Sequence, residues 1–257
     1  MKNHKLSKLL LASVISSLTV PTFAQQLEEV VVTASKRAEN LQDIPQAVTA
    51  FSSERLVELG IVETSDLMGA VPNIQVTSAY GRTQPNFSIR GISVANEFSA
   101  ATASPVGVYV DEVYQSFRAS HGQQLFDLES VEVLRGPQGT LYGRNTTGGA
   151  VNVNTIKPSL GEGASGFLNV RLGNYSYADF TGAVEATIIP DVLGVRLSGA
   201  VSEADGYVDN TLLGTDHPQT SSTAGRLSVL WRPSDKTDIH AKVYWAENDP
   251  RLSLIHI

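Results

Sequence analysis

The sequence predicts an α+β domain followed by antiparallel β-strands of a transmembrane β-barrel, a barrel left incomplete within these 257 residues. Three observations carry that fold class. Residues 42–157 alternate short strand patterns with helix caps, as a compact mixed domain does. Residues 134–153 pass from one strand pattern to another through five glycines and one proline, giving a tight, hairpin-like element built for close backbone packing. Beyond Gly166, segments of about ten residues alternate apolar and polar side chains, the period-two pattern of membrane-spanning strands.

Taken in order, residues 1–24 read as a secretory signal peptide. Lys2, Lys5 and Lys8 form its positive end, residues 9–20 its apolar run, and Thr22 and Ala24 place small residues at a cleavage position. That run is too short for a spanning helix, which needs about 20 apolar residues, and no later run reaches that length. Residues 25–41 read as an arm and a polar linker. The run Val30, Val31, Val32, Thr33 favours extended backbone. An unpaired apolar strand near a terminus invites aggregation, so the run predicts an exposed arm that adds as an edge strand to a partner's sheet. The alternative is a first strand of the following domain.

Residues 42–158 form the α+β domain. A strand covers Val48, Thr49, Ala50 and Phe51. Ser52 or Ser53 caps a helix that Gly60 ends, and Thr64 or Ser65 starts a second that stops before Pro72. Strands at 74–76, 87–89, 106–110, 131–134 and 150–156 complete its core, with polar loops at 77–85 and 93–104. Residues 159–251 carry the barrel pattern. Leu168, Val170 and Leu172 alternate with Asn169 and Arg171, and Phe180 and Val184 with Asp179, Thr181 and Glu185. The pattern recurs at Val195, Leu197 and Val201, at Leu227, Val229 and Trp231, and at Ile239, Val243 and Trp245. A soluble β-sandwich is the alternative architecture. Short turns at 190–191 and 232–235 and the long polar segment 205–222 fit a barrel with short periplasmic turns and long outer loops. Five strands cannot close a barrel, so the chain is expected to be the front of a longer protein. Residues 252–257 end in mid-pattern and read as a tail foreign to the protein.

Acidic residues number 26 against 19 basic, which gives no general attraction to nucleic acid. The absence of cysteine excludes disulfides, thiolate metal sites and cysteine nucleophiles. Residues 161–166 match G-x-G-x-x-G, but a barrel-like strand follows where a dinucleotide site needs a helix. The five histidines, His4, His121, His217, His240 and His256, lack ligand spacing and read mostly as surface residues.

Residues 134–153 closely resemble the signature of the plug domain of TonB-dependent outer-membrane receptors. Leu27, Glu28, Glu29, Val30, Val31, Val32, Thr33 and Ala34 look like that family's TonB box. Ile89, Arg90 and Gly91 match its short arginine motif, and Val106, Gly107, Val108, Tyr109, Val110 and Asp111 a plug strand. The matches span roughly residues 27–158 in family order. The resemblance implies a plug closing a barrel of about 22 strands in the outer membrane of a Gram-negative bacterium. It implies energy-coupled uptake of a scarce solute, most commonly a ferric siderophore, with haem, cobalamin or carbohydrate as alternatives. It implies no covalent chemistry, catalytic residue, metal or cofactor. Its partners would be outer-membrane lipid and TonB with the ExbB–ExbD complex, TonB pairing with Glu28, Glu29, Val30, Val31, Val32, Thr33 and Ala34 from the periplasm. Arg90 and Arg135 match plug arginines that pair with glutamates on the inner barrel wall; solvated surface arginines are the alternative. The two polar loops resemble the plug's outward apex, where Tyr80, Arg82, Asn96, Glu97 and Phe98 are candidate solute contacts. A passive porin-like channel would lack the TonB box, and a secreted binding protein or hydrolase would lack lipid-facing strands. No signalling domain precedes the box, so direct control of transcription is not expected.

Overall fold

The computed structural model of the chain describes residues 31–33, 35–37, 39–78, 84–96, 102–122, 124–161, 163–210, 215–217 and 220–249. The signal-peptide reading of residues 1–24 and the tail at 252–257 lie outside them. The order begins with two short strands, β1 (Val31–Val32) and β2 (Glu39–Asn40), paired antiparallel. β3 (Val48–Ser52) leads directly into the helix Ser53–Glu58, whose N-cap Ser52 accepts a hydrogen bond from the Arg55 N–H. Gly60, at φ +66°, closes that helix in the left-handed region that glycine adopts without strain. The 3₁₀ turn Thr64–Gly69 follows, its Glu63 and Asp66 forming a reciprocal capping box. The domain continues through β4 (Ile74–Thr77), β5 (Asn86–Ile89), β6 (Val106–Val110), β7 (Val113–Tyr114), β8 (Leu128–Arg135) and β9 (Gly149–Thr155).

Its main sheet has the order β3-β8-β9-β6-β7, with β6 parallel to β9 and the other pairs antiparallel. Period two decides what each face of β8 meets. Val131 and Val133 enter a core with Phe51, Leu67, Phe87, Ile89, Val108 and Val151, while Glu132 and Leu134 face the other way. The glycine-rich stretch is a β8–β9 hairpin that encloses a one-turn helix, Gly139–Tyr142, absent from the sequence reading. Its neck is closed by the Gly136 N–H donating to the Gly148 carbonyl at 2.9 Å. Gly149 has φ +155°, and a Cβ there would run into the Leu134 carbonyl oxygen.

The second body is one antiparallel meander. It comprises β10 (Ala164–Leu172), β11 (Ala178–Ile189), β12 (Leu193–Ala204), the hairpin β13 (Val208–Asn210) and β14 (Thr215–His217), β15 (Thr220–Ser234) and β16 (Thr237–Asn248). Its order is β10-β11-β12-β15-β16, an open sheet. One face turns to the α+β domain and buries Asp179, Thr181, Arg196, Ser198, Ser202, Arg226 and Ser228. The other exposes Leu168, Val170, Leu172, Val184, Leu197, Val243 and Trp245. Polar side chains inward and a continuous apolar surface outward invert a soluble sandwich and match a membrane wall.

Candidate functional site

The arm expected to be free is docked where it is described. Val32 is 1% exposed and packs among Ile44, Tyr109, Leu134, Tyr142 and Ala150. The Thr33 N–H and hydroxyl donate to Glu132 Oε1 at 2.7 and 3.1 Å. The Asn152 and Asn154 amides each donate to the same carboxylate at 3.3 Å. Glu132 is fully buried, so its lone pairs need donors, and the arm supplies two of them. This corrects the exposed arm, and β2 lies within what read as linker. Glu28, Glu29, Val30 and Ala34 are outside the described residues. Just beyond, the Lys36 ammonium lies 4.7 Å from the centre of the Tyr142 ring and 3.5 Å from Glu112. Burial pushes the Tyr142 phenol well above its usual pKa, with the negative charges of Glu132 and Glu112 adding.

The two arginines singled out by sequence meet at Gly136. Arg90 holds a positive φ of 54°, and its guanidinium lies where a Gly136 side chain would begin, 3.2 Å from that Cβ position. Arg135 ends β8 with its Nε buried and unbonded. Among the described residues neither side chain has an ionic partner. Of the apex candidates, Asn96 is exposed on its loop, while Tyr80, Arg82, Glu97 and Phe98 lie outside the described residues.

The sequence reading missed the contacts that join the α+β domain to the wall. Asp127, at φ +52° in the turn before β8, sits between two wall arginines. Arg196 on β12 is bidentate, its Nε donating to Asp127 Oδ2 at 3.0 Å and its Nη2 to Oδ1 at 2.5 Å, and its Nη1 donates to Glu185 on β11 at 2.8 Å. Arg226 on β15 donates to Asp127 Oδ2 at 3.0 Å and to the Asp127 carbonyl at 2.7 Å, with its guanidinium 4.9 Å from the Phe126 ring centre. Burial alone would raise the Asp127 pKa. The hydrogen bonds and charge of Arg196, with the charge of Arg226, outweigh it and hold the carboxyl below its usual range. Farther along, Lys242 on β16 pairs with Asp111 at 2.6 Å, and the Gln124 amide donates to the Ser222 hydroxyl at 2.6 Å. Between these contacts lies a cavity of about 330 Å³, lined by Val108, His121, Phe126, Arg226, Lys242 and Tyr244.

His121 corrects another expectation. It is buried at the end of the 3₁₀ turn Arg118–His121, where its Nε2 bonds the Gln115 carbonyl at 2.9 Å and its own carbonyl accepts from the Thr64 hydroxyl. Burial lowers its pKa and the Arg118 charge adds to that, while the Gln115 bond opposes it. Among the described residues no three His, Asp or Glu side chains gather as a metal site. The arrangement suits mechanical work: a domain pinned to a wall, with a short strand latched beneath it.

A family model described as TonB-dependent receptor plug domain matches residues 40–150. The chain is 34% identical over 138 residues to the pesticin receptor of Yersinia pestis, covering 53% of this chain and 20% of that protein. It is 26% identical over 252 residues to the ferrioxamine B receptor of Salmonella typhimurium, covering 92% of this chain and 33% of the receptor. It superposes on the ferric yersiniabactin uptake receptor FyuA from Yersinia pestis with a TM-score of 0.71 at 25% identity, over 78% of this chain and 31% of that one. The pyoverdine outer membrane receptor FpvA of Pseudomonas aeruginosa shares the fold, with a TM-score of 0.69 at 19% identity over 85% and 30% of the two chains. The chain thus spans between 20% and 33% of the length of these curated relatives.

Proposed function

Because the chain belongs to the TonB-dependent receptor family, we propose that it forms the plug and first wall strands of an outer-membrane transporter for a ferric siderophore. The observation that carries this reading is the joint architecture. A plug with a latched N-terminal strand sits against strands that are polar toward the plug and apolar on the far side. The solute binds at the outer apex, with Tyr80, Arg82, Asn96, Glu97 and Phe98 as its plug contacts. Arg90 and Arg135 lock the plug to wall carboxylates outside the five described strands. An arginine desolvated in a lumen needs such a partner.

TonB, driven through ExbB–ExbD, pairs with residues 28–34 as an added strand from the periplasm. In the docked state one edge of β1 is taken by β2 and the Thr33 N–H by Glu132. Pairing with TonB therefore follows release from Glu132. The ferrioxamine B receptor and the ferric yersiniabactin uptake receptor among its relatives support a siderophore as the solute; the vitamin B12 transporters of Vibrio vulnificus, also similar to the chain, keep cobalamin as the alternative, beside haem and carbohydrate. The test is uptake of radiolabelled iron by iron-starved cells carrying the full-length gene, with and without functional TonB. Uptake that survives loss of TonB supports a passive channel. Uptake of cobalamin or haem in place of ferric siderophore reassigns the solute.

A further inference from the structure

The grip between plug and wall is uneven. Around Asp127 it is deep: the carboxylate is fully buried, and Arg196 and Arg226 expose only 8% and 6% of their side chains. Two carboxylates, Asp127 and Glu185, balance the two arginines, so the cluster is neutral and each charge is paired. Arg226 also bonds the Phe126 and Asp127 carbonyls, tying the plug backbone itself to β15. The Asp111–Lys242 pair, by contrast, is partly open to water. Arg90 and Arg135 have no ionic partner among the described residues of these strands.

The position of the cluster along the chain adds a second point. Asp127 immediately precedes β8, and Glu132, which holds the arm, lies on that same strand. β8 is flanked by β3 and β9 along its length. One central strand therefore joins the seat of the arm, Glu132, to a buried ionic anchor on the wall.

We propose that the Asp127–Arg196–Arg226 cluster is a permanent anchor, holding the start of β8 against β12 and β15 throughout the transport cycle, so that the plug opens elsewhere on its perimeter. This rests on the transporter reading above. Asp127 is a positioning residue: it fixes the plug on the wall and contacts no solute.

These 257 residues contain no cysteine, and any elsewhere in the full-length protein is first replaced by serine, so that a tether beside the anchor is the one thiol pair present. Gln124→Cys with Ser222→Cys in the full-length protein replaces an existing plug–wall contact. The tether is closed by oxidation or by a short thiol-bridging reagent. Iron uptake is measured from ferrioxamine B, yersiniabactin and pyoverdine, and plug seating by vancomycin sensitivity. Uptake should be the same tethered and reduced. Asp127→Asn should raise vancomycin entry several-fold, and closing the tether in that variant should restore the seal. Uptake abolished by the tether and recovered with reductant overturns the anchor, as does an Asp127→Asn protein that leaks no more than wild type. If no siderophore is taken up in any form while the leak and its rescue appear, the anchor stands and the transporter reading fails.

Discussion

Glu132 is a buried carboxylate with no basic partner among the described residues, held by two amides and by Thr33. Glu132→Gln turns one acceptor into a donor facing the Thr33 N–H. A charge-assisted bond of about 1.5–3 kcal/mol is lost, while the cluster around Val32 remains. With Val32→Cys as a reporter of burial, this change should accelerate labelling by an impermeant thiol reagent added to purified protein. Equal labelling rates with and without the Glu132→Gln change would show that the carboxylate does not hold the arm. Two other buried groups set the acid response of the plug. His121 has its pKa lowered from 6.5, chiefly by burial, so its neutral ring is the native form. Its contribution is complete above the ordinary imidazole range and is lost as pH falls through the lower native value. Asp127 is native as the anion, with its pKa below the usual 3.8, so its contribution is lost at still lower pH. Protease resistance of the plug should fall in two stages on acidification, and His121→Gln should remove the upper one. A single stage unaffected by that substitution would contradict the assignment. Neither residue was legible as a site, because each owes its environment to an irregular turn that no period describes.

At the scale of elements, what repeats was legible and what docks was not. Every long wall strand followed from period two, and the helix Ser53–Glu58 from its serine cap and its glycine end. β1 differs because a run of β-branched residues specifies extended backbone without saying what it pairs with. Here β2 and Glu132 claim it. The one-turn helix inside the β8–β9 hairpin escaped for a related reason: four residues carry no periodic signal. The arm still offers a test with a parity. In an added strand alternate N–H groups face the partner, and proline removes an N–H. Single prolines at Glu29, Val30, Val31, Val32 and Thr33 should lower TonB-dependent uptake in a two-residue rhythm. Each lost ladder bond is worth about 1 kcal/mol, with steric cost added. Solute binding to whole cells should persist in all five, since none of the proposed solute contacts lies in residues 28–34. Uptake that survives all five substitutions would remove residues 28–34 from the coupling path.

For the whole molecule, the sequence indicated two bodies but not their fit. The inward residues Arg196, Arg226 and Lys242 occupy polar positions of the alternation in their strands. Their partners Asp127 and Asp111 come from plug turns, both at positive φ, and only the assembled fold brings them together. The two faces of the wall give the last test. If the outward face meets lipid, its hydrophobic side chains near mid-strand are buried in hydrocarbon, although Leu197 and Val243 stand 55% and 69% exposed on the isolated chain. An arginine there must be dehydrated or must drag water inward, which costs about 2–4 kcal/mol near the bilayer midplane and less toward its edges. On a soluble sheet the same arginine would be a solvated surface residue, worth within about 0.5 kcal/mol of neutral. Leu197→Arg and Val243→Arg in the full-length protein should each lower the folding free energy in lipid vesicles by the larger amount. Leu172→Arg, at a strand end, should cost less. The comparison needs only urea titrations of refolding into vesicles. A near-zero cost at Leu197 and Val243 would mean that this face is not in the membrane, and would return the sheet to the sandwich alternative despite its apolar surface.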